Sequence, residues 1–237
     1  MTAPPKRGAF GAALAGGLIG SAVTAALLLF AAPALLSGRI VRDGMLADPA
    51  ILSDTVEALR DAQYAPVLEA NRTALETPFA SSWKGAAKPD VTLVEFFDYA
   101  CPYCKASNPH VDRLLQEDKG LRVVYRELPI LGPDSVAAAR ISLAASKLGR
   151  FGQFHDALWA AGRPGAETIA AAAQASGIAP AMVDDPQAEA ELKRNFDLAG
   201  KLGATGTPLF IVGNKVLNGA VGYDALKAAI AEARAKG

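Results

Sequence analysis

Val91-Thr92-Leu93-Val94-Glu95-Phe96-Phe97 runs straight into Asp98-Tyr99-Ala100-Cys101-Pro102-Tyr103-Cys104, and this stretch decides the fold. Apart from Glu95, its first seven residues are β-branched, aromatic or leucine, the composition of a strand buried on both faces. Downstream, Val111, Leu114 and Leu115 recur at helical spacing up to Gly120, and Leu121 to Tyr125 reads as a second strand. Strand, helix and strand within about 35 residues predict a βαβ unit with parallel strands and a right-handed crossover.

Beyond this unit, Asp134 is read as the N-cap of a long alanine-rich helical region. Helices are expected over Ser135 to Lys147, Phe151 to Ala161, Ala166 to Ala175 and Gln187 to Leu202. The breaks are Gly149, Gly162-Arg163-Pro164-Gly165, Gly177 and Gly203. After Gly206-Thr207-Pro208, short strands over Leu209 to Val212 and Lys215 to Leu217 flank Gly213-Asn214, which suits a two-residue type II′ turn. Tyr223 to Ala235 reads as a closing amphipathic helix. Before the βαβ unit, Asp48 to Glu76 reads as a loosely amphipathic helix starting at Asp48-Pro49: a membrane spacer, a packing arm or an oligomerisation element. Trp83 to Asp90 marks the entrance to the main domain.

The chain has 237 residues, with 24 Lys and Arg against 24 Asp and Glu, so no charge excess points to nucleic acid. Lys6 and Arg7 precede an uncharged run from Gly8 to Gly38, longer than the ~20 residues that cross a hydrocarbon core. Signal-peptide cores are shorter, about 7–15 residues, which favours an uncleaved transmembrane anchor over a leader cut near Ala31 to Ala34. Both readings export the remainder, into a compartment where disulfides persist. The expected organisation is a cytoplasmic stub and anchor over 1–42, a helical arm or linker over 43–88, and an α/β domain over 89–237 with a helical insertion at about 134–203.

Only two cysteines are present, too few and too close for a stapling framework. Where a strand hands over to a helix, Cys101 and Cys104 at i and i+3 share one face of the first turn, near enough to bond. Cys101 stands by the positive end of the helix, where a thiolate is favoured, and Pro102 fits the first helical position. Cys101 is the expected nucleophile and Cys104 its resolving partner. A structural staple enclosing four residues would contribute only roughly 2 kcal/mol, against ~4–5 for a long loop. A zinc site lacks ligands: in a continuous helix His110 is ~13 Å along the axis from Cys101, leaving only His155. No metal is therefore assigned. Pro208 opens a strand, where a cis bond after Thr207 would present the Thr207 backbone to an extended peptide. Glu95 shares a strand face with Leu93 and Phe97, so it could lie buried beneath the helix and relay a proton to Cys104, or reach water at the strand end.

Phe96 to Cys104, with Gly206-Thr207-Pro208 and a helical insertion between them, resembles the DsbA-like branch of the thioredoxin superfamily. The resemblance covers about Val91 to Ala235. It implies a thioredoxin-like fold with a helical insertion between the βαβ unit and a C-terminal ββα unit, preceded here by the anchor and arm. It further implies a thiol–disulfide oxidoreductase of the bacterial envelope that acts on exported protein thiols. Such an enzyme needs no cofactor beyond the Cys101–Cys104 disulfide, and a membrane or soluble redox partner resets it. An inner-membrane protein with a periplasmic catalytic domain is expected, or a soluble periplasmic one after cleavage. Glu95 falls at the family's buried acidic position, Cys101 and Cys104 at its two cysteines, and Pro208 at its cis-proline. Thr207, Pro208, Pro102 and Tyr103 are the expected substrate-binding residues. Tyr125 to Leu131, including Glu127 and Pro129, should border the active face. The best-known members carry histidine where this chain has Tyr103, and Pro-Tyr looks more like glutaredoxins, so the poise is expected to be less oxidising. An oxidase leads. An isomerase or reductase on the same fold and a tethered copper-binding module stay open.

Overall fold

Val91–Phe97 (β2) is the third of five strands in a computed structural model that describes residues 32–178 and 185–236. On one side it pairs in parallel with Leu121–Glu127 (β3), from Val91 opposite Leu121 to Phe97 opposite Glu127. On the other it pairs antiparallel with Leu209–Val212 (β4). The edges are Trp83–Gly85 (β1), antiparallel to β3, and Lys215–Asn218 (β5), in a hairpin with β4. Gly213 takes φ +55° at the first hairpin position, where a type II′ turn demands a positive value.

Pro102–Glu117 (α3) crosses from β2 to β3, completing the βαβ unit. Among the described residues four helices follow: Pro133–Lys147 (α4), Phe151–Ala161 (α5), Ala166–Ala175 (α6) and Pro186–Lys201 (α7). Gly222–Lys236 (α8) closes the fold. Strand alternation sorts the core into two layers. Leu93 and Phe97 of β2 pack with Cys104, Val111 and Leu114 of α3 and with Phe154 and Leu158 of α5. Val94 and Phe96, on the opposite face, pack with Leu198 and Leu202 and with Leu68 and Leu75 of Ala50–Glu76 (α2).

The chain divides into two units, one ending at Leu59 and the other beginning at Arg60. Within the described part of the first, Ala32–Ala47 (α1) stops before Asp48-Pro49, and the Asp48 carboxylate accepts the Ala50 N–H at 3.1 Å. Val41, Leu46, Leu52 and Leu59 are each more than half exposed there. Most of the expected anchor, Gly8 to Gly38, lies outside the described residues. Among the described residues no helix is long and apolar enough to cross a membrane.

Three local expectations are corrected. Trp83 to Gly85 is an edge strand rather than only a domain entrance, held by β3 pairing and by the Arg122 guanidinium 4.8 Å from the centre of the Trp83 ring. The α4 helix is capped at Gly132 with Pro133 in its first position, so Asp134 stands inside the first turn. β3 does not stop at Tyr125 but runs through Arg126 and Glu127, both about 1% exposed. Arg126 can be buried because all five guanidinium donors find acceptors. Nε donates to the Leu75 carbonyl (3.0 Å), and Nη1 to Glu191 Oε1 (2.9 Å) and Asn195 Oδ1 (3.0 Å). Nη2 donates to the Thr77 (2.8 Å) and Ala74 carbonyls.

Arg126 thus fastens the end of α2 to β3 and α7. Replacing it (Arg126→Ala) leaves the buried Glu191 with only the exposed Arg194 as a charge partner and strips the Leu75, Ala74 and Thr77 carbonyls of their donor, and should cost about 3–5 kcal/mol of unfolding free energy in urea titrations. Arg72→Ala, which removes a partly exposed pair with Glu76 and bonds to the Gly213 carbonyl and Asn214 Oδ1, should cost less, about 1 kcal/mol.

Candidate active site

The end of β2 delivers the site. The Cys101 N–H donates to the Asp98 carbonyl (3.0 Å), which turns the chain, and Cys101 then serves as N-cap of α3 in an extended conformation with no side-chain cap. Pro102 takes the first helical position, where a missing N–H costs nothing. Both cysteines are free thiols and both are buried. Cys104 is fully enclosed, one turn deeper and packed into the core.

Thr207 and Pro208 arrive from the loop ahead of β4. The Thr207–Pro208 peptide bond is cis, and the Cys101 thiol donates to the Thr207 carbonyl at 3.2 Å. Cys101 is only 4% exposed, beneath the Thr207 loop. What lies open beside it is Pro102 and the Tyr103 ring, which is 65% exposed.

Glu95 is buried on the same strand face as Leu93 and Phe97, and neither carboxyl oxygen has a hydrogen-bond partner. Burial, then the charge of Asp112, pushes its pKa up to about 8, while Lys84 pulls it partly back. Burial, then the Glu95 charge, pushes the Cys104 thiol well above its usual range. Burial thus favours the neutral form of both the Glu95 carboxyl and the Cys104 thiol.

A second buried group was not read from the sequence. Trp159 Nε1 donates to His155 Nε2 (3.1 Å), so the proton of the neutral ring sits on Nδ1 and is donated to the Tyr99 hydroxyl (3.2 Å). Tyr99 donates to Ser142 Oγ (3.0 Å), and Ser142 to Glu127 Oε1 (2.7 Å). Burial holds His155 well below its usual pKa and raises Glu127 to about 7. This chain fixes the insertion helices α4 and α5 to the residues just before Cys101. Asp98 was also missed. It is buried, and its carboxylate accepts three backbone N–H groups: Ala100 (2.8 Å), Ile130 (2.8 Å) and Leu131 (2.9 Å). The bond to Ala100, two residues on, is an Asx turn that a strand-end Asp signals; the other two come from the loop that follows β3.

A cysteine pair opening a helix, set against a cis-proline on a sheet of this topology, defines a thioredoxin-fold domain of the DsbA-like class. The sequence matches the family described as "DSBA-like thioredoxin domain" over residues 92–231, and the chain belongs to that family. DsbA-like thioredoxin-fold proteins are thiol–disulfide oxidoreductases. A thioredoxin-like oxidoreductase from Silicibacter pomeroyi is 38% identical, with TM-score 0.65 over 70% of this chain and 98% of its own. A periplasmic thioredoxin-like protein from Salmonella enterica serovar Typhimurium is 34% identical, with TM-score 0.64 over 69% and 95%. The catalytic domain of Proteus mirabilis ScsC is 28% identical, with TM-score 0.67 over 73% and 99%. Among curated sequences, Na(+)/H(+) antiporter NhaA 3 of Salinispora tropica is 31% identical over 158 residues, 63% of this chain. The chain spans about a quarter of the length of the curated relatives it matches.

The buried carboxyls make a signed pH prediction. The folded protein keeps a proton on Glu95 up to about pH 8, whereas the unfolded chain loses it near 4.5, so raising pH between those values favours unfolding. Unfolding free energy of the dithiol protein should fall across pH 5.5–7.5, and Glu95→Gln should flatten that slope by up to about 1.4 kcal/mol per pH unit. Equal slopes in urea titrations of the two proteins would show that Glu95 titrates as it does in the unfolded chain.

Proposed function

We propose that this protein is a thiol–disulfide oxidase that donates the Cys101–Cys104 disulfide to exported proteins. The observation that carries the reading is the Cys101 sulfur seated on the Thr207 carbonyl beside cis-Pro208, with the enclosed Cys104 thiol and the unpartnered Glu95 carboxyl behind it. In the disulfide form, a substrate thiolate attacks Cys101 Sγ and the sulfur–sulfur bond breaks. The electron pair leaves on Cys104 Sγ, which the environment strongly disfavours as an anion. Neutral Glu95 is the acid at hand to protonate it; burial sets most of its hold on that proton, and Asp112 and Lys84 adjust it.

A second substrate thiolate then attacks the substrate sulfur of the mixed disulfide and releases Cys101. The substrate loses two electrons, and the enzyme, now a dithiol, needs a redox partner to reoxidise it. No cofactor enters the scheme. An extended substrate segment pairs with the Thr207 backbone, and Pro102 and Tyr103 provide the open surface next to it.

Family membership and the likeness to a periplasmic thioredoxin-like protein support an envelope location, with the run Gly8 to Gly38 as the proposed inner-membrane anchor. A Wolbachia pipientis neighbour described as a thiol–disulfide exchange protein, 26% identical, supports the reaction class.

Oxidised protein should accelerate the oxidative refolding of a reduced, disulfide-containing substrate, and Cys104→Ser should accumulate mixed disulfides through Cys101. No acceleration, together with a reduction potential near or below ~−270 mV, would assign the reverse flow, a reductase or isomerase. Failure of Cys104→Ser to trap any thiol partner would instead favour a binding module.

A further inference from the structure

The loop that enters β4 brings two carbonyls to the redox motif, and the hairpin uses one of them. The Pro208 carbonyl accepts the Gly219 N–H at 2.8 Å, and the ladders with β2 and β5 begin one residue later, at Leu209. The Thr207 carbonyl stays outside the sheet. Among the described residues its donor is the Cys101 thiol, at 3.2 Å. Thr207 is half-buried, and a Cβ built at Gly206 would meet no atom within 4 Å, so the backbone here borders open space. A thiol donates only while it holds its proton, and a sulfur in a disulfide has none. This bond therefore belongs to the dithiol state.

We propose that the Cys101 thiol is a redox-dependent cap on the Thr207 carbonyl, which covers the backbone acceptor for substrate in the dithiol protein and uncovers it in the disulfide protein. The proposal rests on the thiol–disulfide exchange reading above and adds to it the step at which substrate is released. A carbonyl has two lone pairs, but only one faces the motif. A substrate whose sulfur reaches Cys101 Sγ brings its neighbouring N–H from that same side, where the thiol proton lies.

In the disulfide protein and in the mixed disulfide, Cys101 Sγ is bonded to sulfur, and the substrate N–H takes the carbonyl. Resolution reverses this. The second substrate thiolate attacks the substrate sulfur, the bond to Cys101 breaks, and the electron pair leaves on Cys101 Sγ. That sulfur takes a proton from water, and the new S–H displaces the substrate N–H. Completion of the substrate's disulfide and loss of its backbone pairing are one event.

A probe without cysteine separates this pairing from the covalent chemistry. The probe is a fluorescein-labelled peptide of alternating Val and Thr with one serine at its centre. It is titrated by anisotropy against the full chain in mildly acidic buffer, where a thiol keeps its proton. The disulfide protein should bind it about threefold to tenfold more tightly than the dithiol protein, the factor for one neutral hydrogen bond. A probe N-methylated at its central amides has no N–H to offer and should show no such preference. Cys101→Ser keeps a hydroxyl donor and should bind like the dithiol protein, whereas Cys101→Ala has no donor and should bind like the disulfide protein.

Equal affinities of the two redox states overturn the proposal, as does a preference that survives N-methylation. Serine and alanine variants that bind alike overturn it too, and so does a probe that neither state binds. If Cys101→Ala does not fold, the two redox states of the wild-type chain decide. Failure of the disulfide to react with dithiothreitol removes the exchange reading and the cap with it. Ready exchange with dithiothreitol and equal probe affinities overturn the cap alone.

Discussion

Two segments 106 residues apart meet at one sulfur: the end of β2, which carries Cys101, and the loop into β4, which carries Thr207 and cis-Pro208. Most other features of the second unit serve that meeting. β2 and β4 are direct neighbours in the sheet, Leu93 to Phe96 opposite Val212 to Leu209, so their ends are registered by backbone hydrogen bonds before any side chain acts. Pro102 then starts α3 at the point where β2 ends, and the helix carries Cys104 inward against Phe97 and Leu93. The reactive position is therefore determined by sheet register and helix start.

The interior behind that position is unusually rich in groups that titrate. Glu95 and Glu127 are both buried, and both are raised by desolvation to about 8 and about 7. They are treated differently. Glu127 ends a directed chain of hydrogen bonds from Trp159 through His155, Tyr99 and Ser142, whereas Glu95 has no hydrogen-bond partner at all. A buried polar group without a partner costs stability, and such costs concentrate where a reaction uses them. The contrast suits a structural role for Glu127 and a proton-transfer role for Glu95.

Much of this was legible in the residues themselves. The apolar run of β2, the i, i+3 cysteines and the glycine punctuation of the helical insertion are local signals, and helices α4 to α7 fall within two residues of their sequence-based bounds. The strand alternation that puts Glu95 beneath α3 is local as well. What escaped depends on partners far along the chain. Arg126 reads as a strand-ending charge until the carbonyls of α2 and the Glu191 carboxylate are brought to it. β1 has only three residues, too few for a period to show. The covering of Cys101 by Thr207 and the reach of Asp98 to Ile130 and Leu131 exist only once the strands are paired. The N-terminal run was clear in composition, but most of it falls outside the described residues.

The two thiols are three positions apart in sequence yet differ in surroundings, one at the mouth of the site under a carbonyl and one sealed in the core. Rates of iodoacetamide modification at each cysteine of the reduced protein, read by mass spectrometry near neutral pH, test this asymmetry directly. Cys101 should be alkylated at least about tenfold faster than Cys104, because the thiolate is the reacting form and Cys104 is both enclosed and held protonated. Equal rates, or faster labelling of Cys104, would contradict the assignment of nucleophile and resolving thiol.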